Sequence, residues 1–163
     1  MLENGKVDMT ITIGSDHRGY ELKNFLKFHF MSNAKELFGK DFELNFDDVG
    51  THDATRNDYP VFAKVACHKI LKKQADFGIL ICGSGEGMAI AANRFKKIYG
   101  ALCWNADVAI AARKNDGANV LVLSADFVSK EENTKIVTEM IKAWKNIEPL
   151  GDRYQKRLDM IDQ

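Results

Sequence analysis

The sequence predicts a doubly wound α/β domain with five parallel strands and helices on both faces. Three observations carry this. Short apolar runs alternate with helical patterns along the whole chain. The run Phe77–Cys82 is apolar almost without interruption, as a strand buried on both faces should be. Polar, glycine-bearing turns follow the first and third of these runs, Ser15-Asp16-His17-Arg18-Gly19 and Gly83-Ser84-Gly85-Glu86-Gly87. In an open parallel sheet, the carboxyl ends of the strands are where ligands bind.

The elements follow in order. Residues 1–8 read as a polar lead-in that frays. Met9–Gly14 is β-branched and apolar, a central strand. Tyr20 to about Phe38 is a helix, with Leu22, Phe25, Leu26 and Phe30 at helical spacing; Ser32–Asp41 is less regular and suggests a break or an extra turn. Phe42–Val49 alternates and suits an edge strand. Gly50–Asp58 is a polar loop without periodicity. Pro60 then opens a helix over about Val61–Lys73, with Phe62, Val65, Ala66 and Ile70 on one face.

After the third strand and its turn, Met88–Ala92 continues as a helix, with Asn93-Arg94 at its end. Ile98–Cys103 is a fourth strand. Ala106–Lys114 is an alanine-rich helix stopped by Asn115-Asp116-Gly117, and Asn119–Leu123 is a fifth strand. Lys130–Lys145 carries Val137, Met140, Ile141 and Trp144 as an apolar stripe. Pro149-Leu150-Gly151 breaks it. A polar helix, Asp152–Ile161, closes the chain and sets Arg153 and Arg157 on one face.

Composition limits the function classes. The 163 residues suit a single domain. Lys+Arg and Asp+Glu balance at 23 each, which gives no global argument for nucleic acid or an anionic membrane as partner. No apolar run is long enough to cross a bilayer, and the first ten residues have no signal-peptide core. Three cysteines without a C-x-x-C pair predict reduced thiols in the cytoplasm, not a disulfide frame or a zinc site.

Chemistry concentrates at the Gly83–Gly87 turn. Its backbone N–H groups can cradle an anion. The spacing is G-x-G-x-G, so it is neither a P-loop nor the dinucleotide fingerprint. Cys82 ends the strand beside this turn, and the positive potential there predicts a lowered thiol pKa. Each candidate also has a plainer reading. Cysteine is a good buried packing residue. Asp16-His17 suits a helix cap, Tyr59 before a proline suits packing, and Arg153 with Arg157 suits a solvated face.

Taken together, the runs SDHRGYELK, DYPVFAKVA, GILICGSGEGMAIAANR, ALC, ANVLVL and DRYQKRL resemble the type B ribose-5-phosphate isomerase family, which includes the galactose-6-phosphate isomerase subunits. The resemblance spans about Met9 to Ile161. It implies a flavodoxin-like three-layer fold, aldose–ketose isomerisation of a sugar phosphate, no metal or other cofactor, and a homodimer or dimer of dimers with active sites shared between subunits. On the matching positions, Cys82 is the base. The family's other branch has a glutamate where this chain has Met88. Ser84 stands in place of the usual threonine. The backbone N–H groups of Gly83, Gly85, Glu86 and Gly87 join it in holding the enediolate oxygens, with the Glu86 side chain facing outward. Asp16, Tyr59 and Asn93 position sugar hydroxyls, and His17, Arg153 and Arg157 hold the phosphate.

Two departures bear on substrate. The family's ring-opening histidine becomes Asn115, which does not shuttle that proton; Asp116 beside it counts among the substrate-binding positions. A phosphate-binding arginine after the fifth strand becomes Asp126. These leave open ribose 5-phosphate itself, another sugar phosphate (a tetrulose 4-phosphate, allose 6-phosphate or galactose 6-phosphate), or a non-catalytic sugar-phosphate-binding partner subunit. A flavin carrier fits the fold alone, but no Ser/Thr run offers to hold its phosphate.

Overall fold

The computed structural model describes residues 7–146 and 148–163. Five parallel strands form one sheet in the order β2-β1-β3-β5-β4. They are β1 Val7–Ser15, β2 Phe42–Asp48, β3 Phe77–Cys82, β4 Gly100–Leu102 and β5 Val120–Ser124. Six helices connect and flank them: α1 Tyr20–Phe38, α2 Tyr59–Leu71, α3 Glu86–Ala92, α4 Ala106–Asp116, α5 Lys130–Lys145 and α6 Asp152–Ile161. β2 is an edge strand, as its alternation predicts, and β3 sits in the centre with every residue buried.

The two-residue period of a strand sorts its side chains between two cores. Ile79, Ile81, Leu121 and Leu123 pack with α1, α4 and α5 on one face. Leu80, Cys82, Val120 and Val122 pack with Ala63, Ala66 and Cys67 of α2 and with Met88 and Ala92 of α3 on the other. Cys82 therefore points to the α2–α3 side. Trp144 closes the first core: its ring stacks on Phe77 with centroids 4.5 Å apart, and its indole N–H donates to the Ala118 carbonyl at 2.9 Å.

Several boundaries differ from the sequence reading, each for a physical reason. Of the polar lead-in, residues 1–6 lie outside the described residues, while Val7 and Asp8 already pair with Phe42 and Glu43 in the sheet. α1 runs unbroken to Phe38. Ala34 and Phe38 are buried, Phe30 and Phe38 stack, and Asn33 satisfies its amide locally on the His29 carbonyl. Gly39, at φ 112°, ends the helix. α2 buries Ala63, Ala66 and Cys67, whereas Val65 is 40% exposed. α4 continues through Asn115 and Asp116. The stop is Gly117, whose left-handed φ of 63° suits a residue without Cβ.

Candidate active site

The carboxyl ends of β1, β3 and β5 meet because those strands are neighbours. The Asp16 N–H donates to the Ile81 carbonyl at 3.2 Å. Ala125 and Asp126 donate their N–H groups to the Cys82 and Gly83 carbonyls, both at 3.0 Å, and the Ser124 hydroxyl donates to the Gly83 carbonyl at 2.8 Å. The glycine turn is thus tied to β5 on one side. It also needs its glycines. Gly85 has φ 85°, and a Cβ there would collide with Leu102 Cδ1.

Cys82 Sγ accepts the Gly85 N–H at 3.2 Å, and the residue is only 5% exposed. The structure corrects the expected direction of its pKa. Burial pushes the thiol up, and the Asp16 charge adds to this. Amide donation from Met88, Gly85 and Gly87 opposes both without winning. α3 has only seven residues, so its dipole is small against the cost of burying a thiolate. Ser84 is exposed, and its Oγ accepts the Glu86 N–H at 3.2 Å. The Glu86 side chain is exposed, facing outward.

Asp16 is buried, and its Oδ1 accepts from the Arg18 and Gly19 N–H groups at 3.0 and 3.1 Å. This is an Asx turn leading into α1. The His17 N–H donates to Asn57 Oδ1 at 3.1 Å, and the Asn57 N–H donates to His17 Nδ1 at 3.4 Å. Asn57 belongs to the loop before α2, which carries no periodic signal. An anchor below holds that loop: Lys23, fully buried, donates from Nζ to Asp48 Oδ1 at 2.6 Å and to the Thr51 carbonyl at 2.5 Å. Burial pulls the Lys23 pKa down while Asp48 pulls it up, and burial wins. Tyr59, the first residue of α2, brings its ring against Gly87.

The remaining sequence candidates lie elsewhere on the chain. Asn93, Asn115, Asp116 and Arg157 line a cleft of about 670 Å³ between the α3–β4 connection, α4 and α6. Asp16, Tyr59, Cys82 and Ser84 are not among its lining residues. Asn93 follows α3 at the end opposite the glycine turn, about 10 Å away at 1.5 Å per residue. Its amide is already engaged: Nδ2 donates to the Gly100 carbonyl at 2.8 Å and Oδ1 accepts the Gly100 N–H at 2.9 Å. Arg157 is exposed with its guanidinium 5.7 Å from the Tyr154 ring centre, and Arg153 is exposed outside the cleft. One chain therefore carries two loci, a thiol with an amide cradle and a cleft with a cation.

The sequence reading passed over Lys23, Asn57 and Arg18. Arg18 pairs with Asp126 across the glycine turn. Two opposite charges after β1 and β5, the strands on either side of β3, were its only signal. Among the described residues, no group of three or more His, Cys, Asp or Glu side chains is placed to hold a metal ion, and no helix is long and apolar enough to cross a membrane.

A parallel α/β sheet with a thiol and backbone amides at its switch point places the chain among α/β domains whose strand ends form small-molecule sites. Comparison with known proteins narrows it. The family described as Ribose/Galactose Isomerase matches residues 11–161. A probable ribose-5-phosphate isomerase B from Mycoplasma genitalium is 40% identical over 157 residues, 95% of each chain. A crystal structure of a ribose 5-phosphate isomerase from Thermotoga maritima superposes with TM-score 0.83 at 37% identity, covering 94% of this chain and 97% of that one. The Mycoplasma genitalium ribose-5-phosphate isomerase B with bound ribulose-5-phosphate superposes with TM-score 0.78 at 37% identity, covering 96% and 95%. The chain belongs to the ribose/galactose isomerase family.

Proposed function

We propose that this protein interconverts ribose 5-phosphate and ribulose 5-phosphate through an enediol, with Cys82 as the base. The observation that carries this is the Cys82 thiol at the end of β3, accepting the Gly85 N–H of the glycine turn, with Asp16 tied to the same strand end through its N–H bond to the Ile81 carbonyl. The thiolate takes the proton from C2 of the aldose while the C1 carbonyl oxygen is protonated. Returning a proton to C1 of the enediol, as the C2 oxygen gives up its own, yields the ketose. Burial raises the thiol's proton affinity, so the thiolate is scarcer at neutral pH and a stronger base once formed. With the Gly85 and Gly87 N–H groups turned to the Cys82 sulfur and that of Glu86 to Ser84 Oγ, the Gly83 and Ser84 N–H groups of the turn would hold the oxygen on which charge develops.

The phosphate needs a cation; Arg157 lines the second locus, and Arg153 lies exposed one turn earlier on α6, outside the cleft. In a homodimer, or in a dimer of dimers, that locus on one copy would border the thiol of another. Arg157 and Arg153 would then meet the phosphate, with Asn115 and Asp116 at the sugar's edge. His17, fixed by Asn57, would reach it from the thiol's own side. The three buried, unpaired thiols suit a reducing compartment such as the cytoplasm.

The test is isomerase activity with EDTA present, on ribose 5-phosphate, allose 6-phosphate, galactose 6-phosphate and erythrulose 4-phosphate in parallel. Cys82→Ala should lose at least about a thousandfold in turnover while keeping the fold. Near-full activity in that variant would sink the assignment of the base. Turnover of another sugar phosphate alone would move the substrate and leave the chemistry. No turnover at all would make the chain a binding partner.

A further inference from the structure

Arg18 and Asp126 are not used by the chemistry above, yet they stand over it. The Arg18 Nε donates to Asp126 Oδ2 at 2.8 Å, and its Nη2 lies 2.5 Å from the same oxygen. A Cβ placed on Gly83 would come 2.6 Å from Asp126 Oδ2 and 2.7 Å from Arg18 Nε. The pair therefore crosses directly above the residue that follows Cys82. Both ends are fixed by backbone bonds at the site: the Arg18 N–H donates to Asp16 Oδ1 at 3.0 Å and the Asp126 N–H to the Gly83 carbonyl at 3.0 Å. The side chains are open to solvent, 57% exposed for Arg18 and 29% for Asp126. Among the described residues, Arg18 Nη1 and Asp126 Oδ1 have no hydrogen-bond partner.

We infer that the Arg18–Asp126 pair is a specificity-determining element that reads the sugar's oxygens and not its phosphate. This rests on the proposed isomerase reading. The electrostatics set the choice. A carboxylate in contact with the guanidinium cancels its charge, and a phosphate dianion drawn to Arg18 would be pushed away by Asp126. An uncharged diol or hydroxy-carbonyl wants what the pair leaves open, one donor and one acceptor side by side. Gly83, having no Cβ, leaves the space that both side chains occupy beside Cys82.

The experiment compares the wild-type chain with Arg18→Met and Asp126→Asn. It measures kcat and KM for ribose 5-phosphate and the inhibition constant of inorganic phosphate. Each variant should raise KM about tenfold, the loss of one hydrogen bond to a hydroxyl; the phosphate constant should stay within about twofold in Arg18→Met and should not rise in Asp126→Asn, where the guanidinium charge is no longer cancelled. A phosphate constant that rises in step with KM would overturn the inference and make Arg18 a phosphate clamp. If neither constant moved, the pair would be only a strap between two loops, and the inference would fall. Calorimetric binding of ribose 5-phosphate and of inorganic phosphate to the same three proteins separates the two readings. Binding without turnover overturns the isomerase reading while still reporting on Arg18. Absence of ribose 5-phosphate binding in the wild type overturns both.

Discussion

The far edge of the Tyr59 ring rests on the backbone of Gly87: a Cβ at position 87 would sit 2.6 Å from Tyr59 Cζ. The first residue of α2 is thereby set against the first turn of α3, beside the amides that surround Cys82. The ring can swing outward more easily than α3 can move. Gly87→Ala should therefore leave stability within about 1 kcal/mol, because the better helix propensity of alanine offsets part of the clash. It should lower kcat/KM about tenfold by displacing Tyr59 and crowding the turn. Denaturant midpoints and steady-state kinetics check this; unchanged kcat/KM would show that Tyr59 takes no part.

The buried cation Lys23 makes a second prediction. Lys23→Met leaves the Thr51 carbonyl without its donor and Asp48 with only Lys27 and the Gly50 N–H. The expected cost is roughly 3 kcal/mol. Burial acts to raise the Asp48 pKa, but Lys23, Lys27 and the Gly50 amide together hold it below the usual carboxylate range. That contribution is present above the unfolded carboxyl's pKa and is lost as pH falls through the lower folded value. The variant should thus start to unfold at a higher pH on acidification. It should also exchange amide hydrogens faster across residues 50–58, read by mass spectrometry; unchanged protection there would remove the anchoring role.

Buried thiols should make the fold weaken at alkaline pH. Burial pushes Cys67 and Cys103 up to about 12. A thiol whose pKa is higher folded than unfolded contributes stability that is fully present below about 8.5 and disappears as pH climbs through the folded value. Between pH 9 and 12 each should cost about 1.4 kcal/mol per pH unit. Urea midpoints of wild type and Cys67→Ala across that range should diverge, with the variant falling more gently. Parallel slopes would mean that the thiol is not what titrates.

Asn115 rides the last turn of α4 and lines the 670 Å³ cleft. Asn115→His puts an imidazole there, able to pass a proton to a ring oxygen. On ribose 5-phosphate, which closes a ring, kcat/KM should rise about tenfold; on a tetrulose 4-phosphate, which has no such ring to open, it should not. Equal changes on the two substrates would exclude ring opening as what position 115 controls.

The fold was legible where local pattern and burial agree. The apolar run of β3, the stripe of α5 and the polar turns after β1 and β3 are all visible in the residues themselves. What was not legible depends on partners far along the chain. Arg18 and Asp126 are 108 residues apart. The sign of the Cys82 shift is decided by how deeply α2 and α3 bury it, which no motif records. The continuity of α1 past Ser32 comes from Phe38 finding Phe30 and Phe42. The separation of Cys82 from Asn115 and Arg157 was invisible in the sequence as spacing, since α3 and β4 intervene with a geometry only the folded sheet sets.

That separation has a genetic consequence. On the shared-site reading, a chain dead at Cys82 still offers a sound Arg157, and a chain dead at Arg157 still offers a sound Cys82. Two inactive alleles in one cell would therefore rescue one another. Random pairing in a two-fold dimer makes half of the pairs mixed, each with one intact site, so about a quarter of the wild-type activity should return.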